Sequence, residues 1–139
     1  MEEKKGDKYY LYFCQSDGTE GVAESIYPYG PFENPRQIMM NGEPIHGIDP
    51  SVLEHDGEFY YTWGQGHCHM AKLNDDMCTL DKMTFAEALI LSEPGQHGFH
   101  EGSSLRKIGN WFCIVYASEY IEEYPNRGGR PTKLDYAIS

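Results

Sequence analysis

Several things are scarce in this chain. It has no run of about 18 apolar residues, so no helix of it spans a bilayer. Its start, Met1-Glu-Glu-Lys-Lys-Gly6, has no long apolar segment behind it and does not read as a secretory signal, which sets a cytoplasmic expectation. Cations are few: 11 Lys and Arg stand against 22 Asp and Glu, for a net charge of −11. A surface this acidic is wrong for nucleic acid, whose phosphates demand a basic face, and wrong for an anionic membrane. The four cysteines, Cys14, Cys68, Cys78 and Cys113, form no CxxC and no regular spacing. They read as reduced thiols, most of them buried, with a disulfide framework as the minor alternative.

Aromatics are plentiful, with 11 Tyr, 6 Phe and 2 Trp, and 15 Gly and 8 Pro break the chain often. That mixture suits short strands joined by turns and argues against long helices and against disorder. A length of 139 residues suits one domain, 1–139.

A repeat organises it. Asp7-Lys-Tyr-Tyr-Leu-Tyr-Phe13, Gly57-Glu-Phe-Tyr-Tyr-Thr-Trp63 and Gly109-Asn-Trp-Phe-Cys-Ile-Val-Tyr116 each carry a turn residue and a paired aromatic opening an apolar run. The first aromatics, Tyr9, Phe59 and Trp111, lie 50 and 52 residues apart. Continuous apolar runs between turn residues predict strands buried on both faces. A second short strand is expected after each run, over 21–25, 69–73 and 134–139. Two further segments, Asp49-Pro-Ser-Val-Leu53 and Glu101-Gly-Ser-Ser-Leu105, lead into the second and third aromatic runs. A unit of about 50 residues holding several strands is the size of a propeller blade. The expected fold is therefore all-β, a partial β-propeller.

Register singles out two carboxylates. Asp49 lies ten residues before Phe59, and Glu101 lies ten before Trp111. Equivalent positions at the starts of inner propeller strands converge at one mouth of the channel. Two carboxylates in one concave site is what acid/base chemistry on a glycosidic bond needs. Taken alone, Asp49 before Pro50 also reads as a turn opener and Glu101 before Gly102 as a solvated turn residue.

The strings His46-Gly-Ile-Asp-Pro-Ser-Val-Leu53 with Asp56-Gly57, Tyr60-Tyr-Thr-Trp-Gly64, Ala71-Lys-Leu-Asn-Asp-Asp-Met77 and His100-Glu-Gly-Ser-Ser-Leu-Arg-Lys-Ile-Gly109 with Tyr116-Ala-Ser118 resemble glycoside hydrolase family 43. Upstream, Tyr9-Tyr-Leu-Tyr-Phe13, Gly21-Val-Ala-Glu-Ser25 and Gly30-Pro-Phe32 look like the preceding blade. The resemblance implies a five-bladed propeller acting on arabinofuranosides or xylosides of oligosaccharides or polysaccharides, with inversion at the anomeric carbon. It implies Glu101 as general acid and Asp49 as the carboxylate that orients it and raises its pKa. His46, Phe99 and His100 flank the pair and are the candidate substrate-binding residues. The general base, an aspartate of the first blade, is expected just before residue 1, so the chain reads as about blades one to three, roughly two and a half of five. On that reading the isolated chain is inactive and associates, with itself or with the missing blades. The family often carries a calcium ion on the propeller axis, but the sequence names no ligand set, so no cofactor or metal is expected.

Two other readings stay open: a non-catalytic glycan-binding or interaction module, and an unrelated kelch-type propeller. Gly66-His67-Cys68-His69 invites a metal reading, but the segment is expected to face away from the carboxylates. Asp75 and Asp76 read as a solvated turn. Residues 119–133, with Glu122, Glu123 and Arg127-Gly-Gly-Arg130, read as a surface loop or a lid. Tyr27 and Tyr29 suit either sugar stacking or packing.

Overall fold

The computed structural model describes residues 2–90, 98–119 and 132–139. Those residues form thirteen strands and no helix. The first sheet is a meander of β1 (Glu2–Lys5), β2 (Lys8–Cys14), β3 (Glu20–Ser25) and β4 (Glu33–Gln37), in that order. In the second, β7 (Ser51–His55), β8 (Glu58–Trp63), β9 (His69–Leu73) and β10 (Thr79–Ala86) follow one another. A small hairpin, β5 (Met39–Met40) and β6 (Glu43–Pro44), extends that sheet, with β5 parallel to β10. The third holds β11 (Phe99–Ile108), β12 (Trp111–Glu119) and β13 (Thr132–Ile138). Three consecutive antiparallel meanders packed through shared cores are propeller blades.

Local chemistry makes these hairpins. Asp56 and Gly57 join β7 to β8 with φ of 52° and 79°. Two positive φ angles give a type I′ turn, whose twist matches that of the strands it joins. The aromatic run is the second strand of its blade in all three cases, not the first, and the segments opening at Asp49 and Glu101 supply the inner strands β7 and β11.

The core has two parts. Between the first and second blades lie Tyr10, Tyr12, Val22, Ile38, Val52, Phe59, Tyr61 and Trp63 with their neighbours. Tyr12 and Tyr61 meet edge-on at 5.4 Å, and the Tyr12 hydroxyl donates to the Met77 carbonyl at 3.0 Å. Between the second and third blades lie Cys68, Phe99, Leu105, Ile114 and Tyr116. Each large side chain so buried contributes about 1.5–3 kcal/mol.

The expectation of strands buried on both faces holds best for β8. In β12 burial alternates: Ile114 and Tyr116 are buried, while Trp111 and Val115 are 59% and 37% exposed. The reason is position. The β8 blade is packed on both sides, whereas among the described residues only one face of the β12 sheet is covered. The thiol expectation also needs correcting. All four cysteines are free, but only Cys68 is buried; Cys14 is exposed and the other two are half-buried. Of the loop expected over 119–133, residues 120–131 lie outside the described residues.

Candidate active site

β7 and β8 are antiparallel, with Ser51 opposite Thr62. The chain leaving β8 therefore returns to the end where β7 begins. There the Gly64 N–H donates to the Ile48 carbonyl at 3.0 Å, one residue from Asp49. Two residues on, the Gly66 N–H donates to the His100 carbonyl at 2.7 Å, one residue from Glu101. Between them, Gln65 Nε2 donates to Glu101 Oε2 at 2.8 Å. One three-residue turn is thus bonded to the backbone beside each carboxylate. Gly64 makes the turn possible: its φ is +124°, and a Cβ there would stand 2.3 Å from the His67 carbonyl oxygen.

This overturns one expectation. The segment at His67 and His69 is at the carboxylate end, not away from it, because the second strand of a blade runs back toward the start of the first. His67 and His69 stack at 6.2 Å, and His69 packs on Trp63 and Phe85. Among the described residues no group of three or more His, Cys, Asp or Glu side chains is arranged to hold a metal ion. Calcium, which the family resemblance implies, is offered no such donor set by them.

Asp49 is half-buried, with φ of 55°. Asp tolerates this left-handed region better than most residues, and such backbone outliers cluster at functional sites. Its segment is tied to the first blade by a bridge between Thr19 and His46 and by the Gly47 N–H donating to the Gly18 carbonyl at 2.9 Å. The 17–19 loop is ordered by Asp17 Oδ1, which accepts from the Thr19 N–H at 2.9 Å and its hydroxyl at 2.7 Å. Hydrogen bonds from Thr19 hold the Asp17 carboxyl below the usual range. His46 is exposed.

Glu101 sits where the pairing of β11 with β12 shifts register, and Gly102 follows with φ of 70°. A bulge of this kind re-aims a side chain. The Glu101 side chain is 35% exposed, and His100 Nε2 lies 3.7 Å from its Oε2. Phe99 is drawn into the core, its ring tilted on Tyr116 at 5.5 Å.

Beneath the pair runs a buried polar seam. Ser51 and Ser103 each lie two residues past a carboxylate. Thr62 Oγ1 is 3.1 Å from Ser103 Oγ and donates to the Ser51 carbonyl at 3.4 Å. The Leu105 N–H donates to Ser51 Oγ at 3.4 Å. The seam joins neighbouring inner strands at the level where their carboxylates begin.

The sequence model of glycosyl hydrolases family 43 matches residues 3–130. The chain belongs to glycosyl hydrolase family 43. Solved structures agree on the family 43 fold. An α-L-arabinofuranosidase from Clostridium thermocellum aligns at 23% identity and a TM-score of 0.70, over 99% of this chain and 45% of its own. The GH43_1 enzyme from Xanthomonas citri complexed with xylose aligns at 20% and 0.72, over 99% and 50%. A β-xylosidase/α-arabinofuranosidase from a compost microbial metagenome, in complex with xylotriose, aligns at 24% and 0.68, over 84% and 47%. The chain spans about half the length of these structures. None of the curated proteins matches the sequence.

Sequence reasoning missed three residues at this end of the blades. Gln65, between two glycines, was findable by following β8 back antiparallel. Glu20 carried no signal, because a glutamate opening a strand reads as solvated, and its partner Tyr61 read only as part of its aromatic run. Tyr27 and Tyr29 stack on each other at 5.5 Å beyond the far end of β3, away from the mouth. Asp75 pairs with Lys5 at 3.0 Å, and Asp76 accepts from the Cys78 and Thr79 N–H groups, as a turn residue does.

Proposed function

We propose that the chain supplies the acid side of an inverting glycoside hydrolase site acting on arabinofuranosides or xylosides. Glu101 is the general acid and Asp49 the carboxylate that orients it. The observation that carries this reading is the 64–66 turn, bonded beside both carboxylates, with Gln65 donating to Glu101. Gln65 fixes Glu101 Oε2 and leaves Oε1 to carry the proton toward the leaving oxygen. His46 and His100 flank the pair and present ring nitrogens to sugar hydroxyls, while Phe99 supports the strand from below. Inversion further needs a base across the ring, about 6.5–9.5 Å from the acid, with room for water. The names of the aligned enzymes support pentose glycans as the substrate class and an oligosaccharide as the ligand.

The test is Glu101→Gln in the complete open reading frame that contains the chain, assayed on aryl xylosides and arabinofuranosides. A poor leaving group should lose about 10²–10⁴-fold in kcat/KM, since that is what general acid catalysis contributes. A leaving group that departs without a proton should lose far less. Equal losses on both, or no loss, overturn the assignment. Proton NMR of the first-formed anomer reads the stereochemistry.

A further inference from the structure

Glu20 opens β3 at the mouth end of its blade, yet its side chain is fully buried. Its Oε2 accepts the Tyr61 hydroxyl hydrogen. Tyr61 is itself buried between Tyr12 and Trp63. Oε1 has no hydrogen-bond partner. It faces Gly47, where a Cβ would stand 3.2 Å from it. No cation pairs with Glu20 among the described residues. A buried carboxylate left without a cation costs several kcal/mol, so such a group keeps its proton. Because Oε2 takes the Tyr61 hydrogen, the acid proton belongs on Oε1, on the side of the 47–49 turn.

The groups facing Glu20 are few. From β8 comes Tyr61, and from the 46–49 segment comes Asp49, the charge that acts on it. His46 lies on that same segment, bridged to Thr19 and exposed. We propose that Glu20 is a positioning residue of the acid site: as a neutral acid packed against the 47–49 turn it lets that turn, and with it Asp49, keep its place, and its ionisation marks the upper pH limit of that geometry. The inference rests on the role given to Asp49 above. Burial, opposed by the Tyr61 hydrogen bond and reinforced by Asp49, pushes the Glu20 carboxyl up to about 7. The transition therefore falls within the working range of an enzyme.

Carbon-13 NMR of the Asp49 carboxyl between pH 5 and 8 tests this in wild type, Glu20→Gln and Tyr61→Phe. Gln keeps the size of Glu and still accepts from Tyr61. In wild type the Asp49 signal should move in a step shared with the Glu20 carboxyl, and in Glu20→Gln that step should vanish. Tyr61→Phe, which removes the donor to Glu20, should move the step to higher pH. A step that survives in Glu20→Gln, or its absence in wild type, overturns the proposal. In the complete open reading frame, kcat/KM of Glu20→Gln relative to wild type should rise about tenfold from pH 5 to 8, the equivalent of one pKa unit. A ratio constant with pH overturns it. If wild type turns over neither pentoside, the glycosidase reading fails while the NMR result still decides the role of Glu20.

Discussion

Replacing Glu20 by Gln should change how stability depends on pH. The Glu20 carboxyl is held at about 7 in the folded chain, against 4.5 when unperturbed. Between those values the folded state keeps a proton that the unfolded state has released. Linkage then requires stability to fall as pH rises. The contribution is fully present below about pH 4.5 and is lost as pH passes through about 7. A separation of about 2.5 pKa units corresponds to about 3 kcal/mol at 1.36 kcal/mol per unit. That is a large share of the 5–15 kcal/mol typical of a domain. Gln cannot ionise, so the variant should show none of this slope. Urea titrations at pH 4.5, 5.5, 6.5 and 7.5 measure it through the midpoint at constant m. The gap between variant and wild type should widen in the variant's favour by about 3 kcal/mol over that range. Curves that stay parallel would refute the argument, because they would mean that Glu20 is ionised, or neutral, in both states throughout.

Gly64→Ala should destabilise the chain by about 3 kcal/mol or more, because φ there is +124° and the new Cβ meets a backbone carbonyl oxygen. Gly57→Ala, at φ of 79° with open space around it, should cost about 1 kcal/mol, and equal costs by chemical denaturation would contradict the packing argument. The 139-residue chain should associate at micromolar concentration. Leu134, Tyr136 and Ile138 are 79%, 67% and 59% exposed on one face of β13, beside Trp111 and Val115 on the same face of the sheet. Sedimentation showing a stable monomer would count against that.

The strands that bury aromatic or β-branched side chains were legible in the sequence. The apolar runs that follow Asp7, Gly57 and Gly109 stand out between turn residues, and β2, β8 and β12 lie where they predict. The segments at Asp49 and Glu101 stood out by matched register, but that they, and not the aromatic runs, are the first strands of their blades came only with the topology. The strands that escaped are polar or amphipathic. β1 is Glu-Glu-Lys-Lys and β4 is Glu-Asn-Pro-Arg-Gln, each at the edge of its sheet, where one row of backbone groups has no partner. Pro35 fits such an edge, because it lacks the N–H that a central strand must donate. β10 alternates too weakly to separate from a loop. Around Asp49 and Glu101, which matched register singled out, direction was needed for the rest. Gln65 became visible only with the sense in which β8 runs, and Glu20 only with what surrounds its carboxyl.

The hydrogen bond from Gln65 to Glu101 joins two blades. Propellers invite modular engineering, in which a blade is lifted from one protein and set into another. Here that exchange would separate Glu101 from its donor, since Glu101 travels with β11 and Gln65 with the blade before it. The Ser51, Thr62 and Ser103 seam would be cut along the same line. The transplantable unit is therefore offset from the blade: it starts at the inner strand of one sheet and ends with the inner strand of the next. A chimera cut at that offset carries Glu101 together with Gln65 and the seam, whereas one cut between sheets leaves each half without the other's contacts.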